Sequence, residues 1–193
     1  AALRRRTAVQ SWPDLRALLA DIPWAVVGGV ATRAYMTERM TRYMDILVRQ
    51  ADGPVAVRRL VDGGFEPLGP LPISGQSLRS PGGVEVDVLF GDEPWLDEAL
   101  ADLDRDAAGL PVIGLPFLVL LKMRAAPAQD WADEARMLGQ ADASSLGDVR
   151  AVIGRFSPDD AEDLEALIFL GQQEMRESGG DLAAPGASPP PRG

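Results

Sequence analysis

Two short apolar segments on either side of a glycine pair constrain the fold of this chain more than any other feature. The stretch WAVV (24–27) runs directly into Gly28-Gly29, and a second apolar stretch, MDILV (44–48), follows in the same half of the sequence. Segments of this length predict strands, and a strand is stable only when it pairs in a sheet that other elements cover. The segment VATRAYM (30–36) predicts a helix that opens directly after the glycine pair. We therefore expect a small sheet with helices packed against it.

Further strands and helices follow in an order that is typical of a mixed α/β region. The segments SLRS (77–80) and VEVDVLFG (84–91) flank the turn sequence PGG (81–83) and predict a hairpin. The stretch DEPWLDEALADL (92–103) predicts a helix, and LPVIG (110–114) predicts a short strand.

The last third of the sequence predicts helices. LPFLVLLKMRAA (115–126) is apolar on nearly all sides and predicts a central helix, and QDWADEARMLG (129–139) predicts the next one. The segment SPDD (157–160) is typical of a helix start. From Gly179 onward the chain consists largely of Gly, Ala, Ser and Pro, a composition that predicts a disordered tail.

The predicted fold class is therefore α+β: a small mixed β-sheet with packed helices, followed by a C-terminal helical part. We place an α/β domain at residues 1–110, a helical region at residues 111–178 and the disordered tail at residues 179–193.

Composition excludes several kinds of site. The 193 residues include no cysteine and no histidine, which removes disulfides, thiolate and imidazole metal ligands, and the commonest general base. A metal must then be held by oxygen, as Mg²⁺ or Mn²⁺ is. The net charge of −10 argues against a protein that coats nucleic acid through its phosphates. No apolar run reaches the roughly 18 residues of a membrane span, and we expect a cytoplasmic protein with no membrane partner.

Carboxylates and glycines in the first half of the chain point to a particular chemistry. Asp45 interrupts one apolar strand, and Asp87 interrupts a later one. Carboxylates from two neighbouring strands can converge on a hard cation, and Gly28-Gly29 lets a phosphate approach the backbone amides closely. Glycine amides for phosphate together with acids for a metal are the equipment for transferring a nucleotidyl group.

The alternation of side chains along a strand leaves a second interpretation open. Residues two apart face the same side, so Tyr43 lies beside Asp45 and Glu85 lies beside Asp87. The same alternation places Asp87 opposite the valines of VEVDVLF, and in a one-sided strand both of its acids would simply face solvent. The glycine pair, likewise, could be no more than a tight strand-to-helix turn.

The stretch VGGVATRAYMTERMTRYMDILV (27–48) resembles the first motif of the nucleotidyltransferase fold, the DNA-polymerase-β-like superfamily. The resemblance is greatest to small bacterial members of the abortive-infection (AbiEii-like) and toxin–antitoxin kind. The family motif has a glycine pair, a helix, a Thr-Arg/Lys step and then Asp-x-Asp on a strand. The matching positions here are Gly28, Gly29, Arg39, Thr41, Arg42 and, for the second acid of the pair, Asp45. Asp87 matches the family's third acid.

The resemblance also implies roles for later residues and for ligands. Lys122 matches a lysine on the helix after the catalytic domain, and Asp130 and Asp133 match acids of the following helix. By this resemblance Asp45 and Asp87 are catalytic and hold Mg²⁺ or Mn²⁺. The implied nucleotide-binding residues are Gly28, Gly29, Arg42 and Lys122. For Lys122 a simpler interpretation is that its amine snorkels to the surface, and Arg39 and Arg42 could be solvated charges.

Two departures from the family pattern matter. The first acid of Asp-x-Asp, which in the family helps to bridge two metals, is Tyr43 here. A phenol stays neutral at pH 7 and cannot replace a carboxylate as a magnesium ligand. An arginine that the family often has near the position of Pro127 is also missing. Glu85, on the same face as Asp87, could compensate as a metal ligand.

Three functions follow as hypotheses. The first is an enzyme that transfers a nucleoside monophosphate from a nucleoside triphosphate to a protein, RNA or small-molecule hydroxyl, impaired to some degree by Tyr43. The second is a catalytically inactive protein of the same fold that binds a nucleotide or a partner in a toxin–antitoxin or defence system. The third is an interaction domain with an acidic surface and no nucleotide site.

Overall fold

The computed structural model describes residues 12–36, 43–125 and 131–180. Its contacts divide the chain into two compact units, with the boundary between Gly114 and Leu115. The first unit contains a mixed sheet with helices, and the described part of the second contains helices. This confirms the predicted α+β class with a C-terminal helical part.

The first unit is built on one seven-stranded sheet. Its strands are β1 (Trp24–Val27), β2 (Tyr43–Arg49), β3 (Glu66–Pro70), β4 (Gly75–Arg79), β5 (Glu85–Gly91), β6 (Leu103–Arg105) and β7 (Pro111–Ile113). Their order across the sheet is β3-β4-β5-β2-β1-β7-β6. The pairs β2–β5 and β1–β7 are parallel, and the other neighbours are antiparallel. The predicted hairpin is confirmed as β4–β5.

Three helices accompany these strands in the described part of the first unit: α1 (Gly28–Ala31), α2 (Gly53–Asp62) and α3 (Leu96–Ala101). The helix predicted for residues 30–36 starts earlier, because α1 begins at the glycine pair itself, and it continues as a 3₁₀ turn at Thr32–Ala34. The helix predicted for residues 92–103 is shorter than expected. Leu103, the last residue of the predicted helix, belongs instead to β6, which pairs with β7.

One face of the central strands forms the core. On β2 and β5 the alternate side chains of Met44, Ile46, Val48, Val86 and Val88 are all 0% exposed. The intervening residues of both strands point to the opposite face. The apolar residues that alternate along β2 and β5 in the sequence therefore form one completely buried face.

The second unit has four described helices: α4 (Leu115–Ala125), α5 (Trp131–Gln140), α6 (Ala143–Phe156) and α7 (Ala161–Gly180). A 3₁₀ turn at Pro158–Asp160 precedes α7, where the segment SPDD predicted a helix start. Helices α5 and α7 are in close contact at a pair of glycines. A Cβ atom on Gly139 would lie 2.4 Å from the carbonyl group of Gly171, so the crossing depends on both side chains being absent.

Residues 181–193, most of the predicted tail, lie outside the described residues. Among the helices in the described ranges, none is both long and apolar enough to cross a bilayer.

Candidate functional site

Asp45 and Asp87 are brought side by side by the pairing of β2 with β5. The two strands are parallel, and the two acids are register partners. Register partners on neighbouring strands lie about 4.8 Å apart across the ladder and point to the same face. Both side chains are half-buried, on the face opposite the valine core. The two interpretations of Asp87 are thus compatible: it does lie opposite the valines, and it shares that face with Asp45.

The glycine turn touches the first of these acids. Val27, the last residue of β1, is the antiparallel register partner of Asp45, so the turn begins beside that carboxylate. Gly28 has φ of 61°, a left-handed conformation that favours glycine. A Cβ atom on Gly28 would lie 2.1 Å from Oδ2 of Asp45. Gly28 is therefore required both by its backbone conformation and by its contact with the Asp45 carboxylate.

Hydrogen bonds from the following residues fix this turn. The Thr32 side chain is 0% exposed, and its hydroxyl donates to the Gly29 carbonyl at 2.7 Å. The Tyr35 hydroxyl donates to the Ile113 carbonyl at 2.8 Å and also bonds the Asp104 carboxylate. Sequence analysis did not assign Thr32 or Tyr35 a role. The spacing of Thr32, three residues after Gly29, could have predicted the bond between its hydroxyl and the Gly29 carbonyl, because threonine hydroxyls often bond a carbonyl three or four residues earlier.

A polar row crosses the same face next to the two acids. Tyr43, Glu85, Arg79 and Glu66 are successive register partners on β2, β5, β4 and β3. Arg79 Nη2 lies 3.3 Å from Glu85 Oε1, and Nη1 lies 3.7 Å from Glu66 Oε2. The Tyr43 side chain ends the row and is 49% exposed. We call these four residues the polar row. It carries one guanidinium, that of Arg79, on the same face of the sheet as Asp45 and Asp87.

The donor set fits a single hard cation better than a fully protein-bound pair of cations. Within the described ranges, no group of three or more Asp or Glu side chains is arranged to hold a metal ion. Magnesium is commonly held by one or two carboxylates together with substrate phosphates, which is what Asp45 and Asp87 can supply. Glu85 is ion-paired with Arg79, so a role as a third metal ligand would require it to leave that pair.

Several positions named in the comparison with the family motif are not described by the structure. Arg39, Thr41, Arg42, Pro127 and Asp130 lie outside the described residues.

Two charged residues of the second unit are enclosed. Lys122 in α4 is 6% exposed, so the interpretation that it snorkels to the surface is wrong. In α5, Asp133 is half-buried, whereas Glu134, which sequence analysis did not single out, is 0% exposed.

A pocket of about 230 Å³ lies at the carboxyl ends of β2 and β5. Its lining residues are Arg49, Gln50, Ala51, Gly91, Asp92, Glu93, Leu96 and Asp97. Asp45 and Asp87 are not among them, since both lie nearer the amino ends of the same strands. The carboxylate pair and this pocket are therefore separate features of the same two strands.

Comparisons with known proteins give a consistent set of similar structures. No protein-family model matches the sequence, and no curated protein matches it significantly. A structure described as a candidate nucleotidyltransferase from Thermotoga maritima is similar with 13% identity and a TM-score of 0.44, covering 57% of this chain and 81% of that one.

Two antibiotic-modifying proteins are similar to the same degree. The lincosamide antibiotic adenylyltransferase LnuA, solved with lincomycin bound, has 11% identity and a TM-score of 0.41, covering 72% of this chain and 90% of that one. ANT(2″)-Ia, solved in complex with adenylyl-2″-tobramycin, has 16% identity and a TM-score of 0.43, covering 83% and 94%. Similarity at this level does not establish the function of this chain.

Proposed function

We propose that this chain is a nucleotidyltransferase, which transfers a nucleoside monophosphate from a nucleoside triphosphate to a hydroxyl group of an acceptor. One observation carries the proposal. Asp45 and Asp87 are register partners on one face of the sheet, and the left-handed turn at Gly28 is in contact with the Asp45 position. Two acids for a cation and a close-approach glycine turn for phosphate therefore occur in one place.

Each residue has a distinct task in the proposed reaction. Asp45 and Asp87 would hold Mg²⁺ or Mn²⁺, which when bound supplies positive charge to the phosphates. The amides of Gly28 and Gly29 would hold the outer phosphates. Arg42 is proposed to offset the remaining negative charge.

The transfer itself needs an acceptor and a base. The acceptor hydroxyl oxygen forms a bond to the α-phosphorus, the bond between that phosphorus and the bridging oxygen breaks, and pyrophosphate leaves. The hydroxyl proton must go to a base, and because the sequence has no histidine, we propose a carboxylate for this role. The acceptor is a protein, an RNA or a small molecule.

Tyr43 favours a second candidate function. By the family resemblance it stands at the position of a metal-bridging acid. It is 49% exposed and lies on the same face as Asp45. A phenol at this place leaves the face with two carboxylates for a metal. The second candidate is therefore an inactive protein of the nucleotidyltransferase fold that binds a nucleotide or a partner protein as one component of a toxin–antitoxin or defence system.

The two candidates are separated by one experiment. The protein is incubated with each radiolabelled nucleoside triphosphate and Mg²⁺, alone and with cell extract as a source of acceptors, and transfer is compared between the wild type and Tyr43→Asp. Asp87→Asn is the variant that should abolish transfer, and Asp62→Asn, an exposed acid at the end of α2, is its matched control.

Transfer by the wild type supports the enzyme. Transfer only after Tyr43→Asp supports the inactive relative. Failure of every triphosphate to bind either form, measured by equilibrium dialysis, would overturn the enzyme and the nucleotide-binding form of the second candidate.

A further inference from the structure

We propose that Arg79 is a phosphate-binding residue of this face, taking the phosphate chain of a nucleoside triphosphate. Sequence analysis assigned Arg79 no role, and the inference rests on the proposed function. Its basis is the polar row, which places a guanidinium beside the two acids.

The side chain of Arg79 lies on the same face as the two acids. Ser77 is the register partner of Asp87, and Arg79 lies two residues further along β4, so its side chain points to the same face. A diagonal pair of this kind has its Cβ atoms about 7–8 Å apart. A side chain as long as arginine spans that distance, so the guanidinium can reach a phosphate that a metal holds at Asp87.

The guanidinium of Arg79 is also available to a ligand. The two carboxylates that hold Arg79 lie at 3.3 and 3.7 Å, and all three side chains are well exposed, at 44% for Arg79, 51% for Glu85 and 70% for Glu66. Exposed ion pairs of this geometry contribute little to stability, so the guanidinium is oriented over the face but readily exchanged. A polyphosphate offers more charge than either glutamate and matches the forked donors of arginine.

A second arginine on the same face provides a contrast. Arg49 lies on the same face of β2 as Asp45, but it is four residues further along the strand and lines the pocket. Its guanidinium is bonded to Asp97, and this pairing raises its pKa. Arg49 is therefore both further from the acids and more firmly engaged than Arg79.

The proposal gives Glu85 a role opposite to that of a metal ligand. If Glu85 holds Arg79 in competition with phosphate, then Glu85→Gln should release the guanidinium and tighten phosphate binding. If Glu85 were a ligand of the metal, the same substitution should weaken it. The sign of the effect separates the two roles.

The experiment measures binding of tripolyphosphate with Mg²⁺ by titration calorimetry, because this probe contains the phosphate chain without a base. The variants are Arg79→Gln, Arg79→Lys and the matched control Arg58→Gln, an exposed arginine on α2. We expect Arg79→Gln to weaken binding about tenfold or more, Arg79→Lys to weaken it less, and Arg58→Gln to leave it unchanged. Glu85→Gln should tighten binding by up to about fivefold.

Two results would overturn the inference, and they differ in what they leave standing. Wild-type affinity in Arg79→Gln, or weaker binding in Glu85→Gln, removes the role of Arg79 while the proposed function stands. Failure of the wild type to bind tripolyphosphate and every nucleoside triphosphate removes both. Equal melting temperatures of the wild type, Arg79→Gln and Arg79→Lys show that a loss of binding is not a loss of fold.

Discussion

The two faces of the β2–β5 pair are made by the same two strands and serve opposite purposes. On one face Met44, Ile46, Val86 and Val88 are completely buried. On the other face the same strands present Asp45 and Asp87, half-buried and in register. The second face is only partly packed, since Leu47 on it is 4% exposed whereas Asp45 two residues away is half-buried. Complete packing of one face therefore leaves some intervening positions available for polar side chains.

The largest effect should come from the packed face. Ile46→Ala removes buried methyl groups from a side chain that is 0% exposed, and we expect the free energy of unfolding to fall by about 2–5 kcal/mol. Asp87→Asn, on the other face, should lower it by less than about 1 kcal/mol while removing metal-dependent nucleotide binding. Urea unfolding of both variants measures the difference. A greater loss of stability in Asp87→Asn would show that this acid is structural.

The next effect tests the contact between the glycine turn and the acid face. Gly28→Ala must adopt φ of 61° and place its Cβ against Asp45, so we expect a loss of about 1–3 kcal/mol together with loss of nucleotide binding. Gly83→Ala is the matched control, because Gly83 has φ of 81° but its Cβ would meet nothing within 4 Å. The difference between the two variants, measured by urea unfolding, isolates the contact with Asp45. Equal losses would mean that only backbone strain matters.

A smaller effect should come from the hydrogen bond that fixes the same turn. Thr32→Val keeps the shape of a side chain that is 0% exposed but leaves the Gly29 carbonyl without its hydroxyl donor. We expect a loss of about 1–2 kcal/mol in unfolding experiments, and Thr32→Ser should lose less because it retains the donor. If Thr32→Ser loses more stability than Thr32→Val, the methyl group of Thr32 rather than its hydroxyl stabilises the turn.

The strand period explains which parts of this site could be predicted. Alternation along β2 and β5 sufficed to predict that Asp45 and Tyr43 share a face and that Asp87 and Glu85 share one. It could not predict that the two pairs are in register, because that depends on which strands become neighbours. The position of Arg79 over the acid face depends on the same pairing and was missed for the same reason.

Other parts of the fold were missed because local signals opposed them. Strand β3 contains Pro67 and Pro70, which argue against a strand, yet it lies at the edge of the sheet, where a missing amide donor is tolerated.

Helix α6 contains Gly147 and Gly154, which weaken a helical pattern. Its start is fixed by Asp142, whose side chain accepts a hydrogen bond from the Ser145 amide. The burial of Lys122 and Glu134 depends on packing between helices, which a helical period alone does not specify.

The smallest expected effect concerns an exposed ion pair that belongs to neither face. Arg59 donates to the Asp21 carboxylate, and this hydrogen bond lowers the pKa of Asp21 from 3.8 to about 2. A carboxyl whose pKa is lower in the folded protein stabilises the fold fully above its unfolded pKa, and this contribution is lost as the pH falls toward 2.

Asp21→Asn should therefore destabilise the protein slightly at pH 6, and its difference from the wild type should shrink at pH 3. Urea unfolding at the two pH values measures that change, and Asp62→Asn, an exposed acid at the end of α2, is the control. A difference that grows at pH 3 would contradict the assignment, because it would mean that protonated Asp21 is the form that stabilises the fold. The effect should be small even at pH 6, since the Asp21 side chain is largely in solvent, where ion pairs are screened. A loss of unfolding free energy as large as that of Ile46→Ala would show that an exposed ion pair stabilises this chain as much as its packed face does. Burial of one face of β2 and β5 would then not be the main source of its stability.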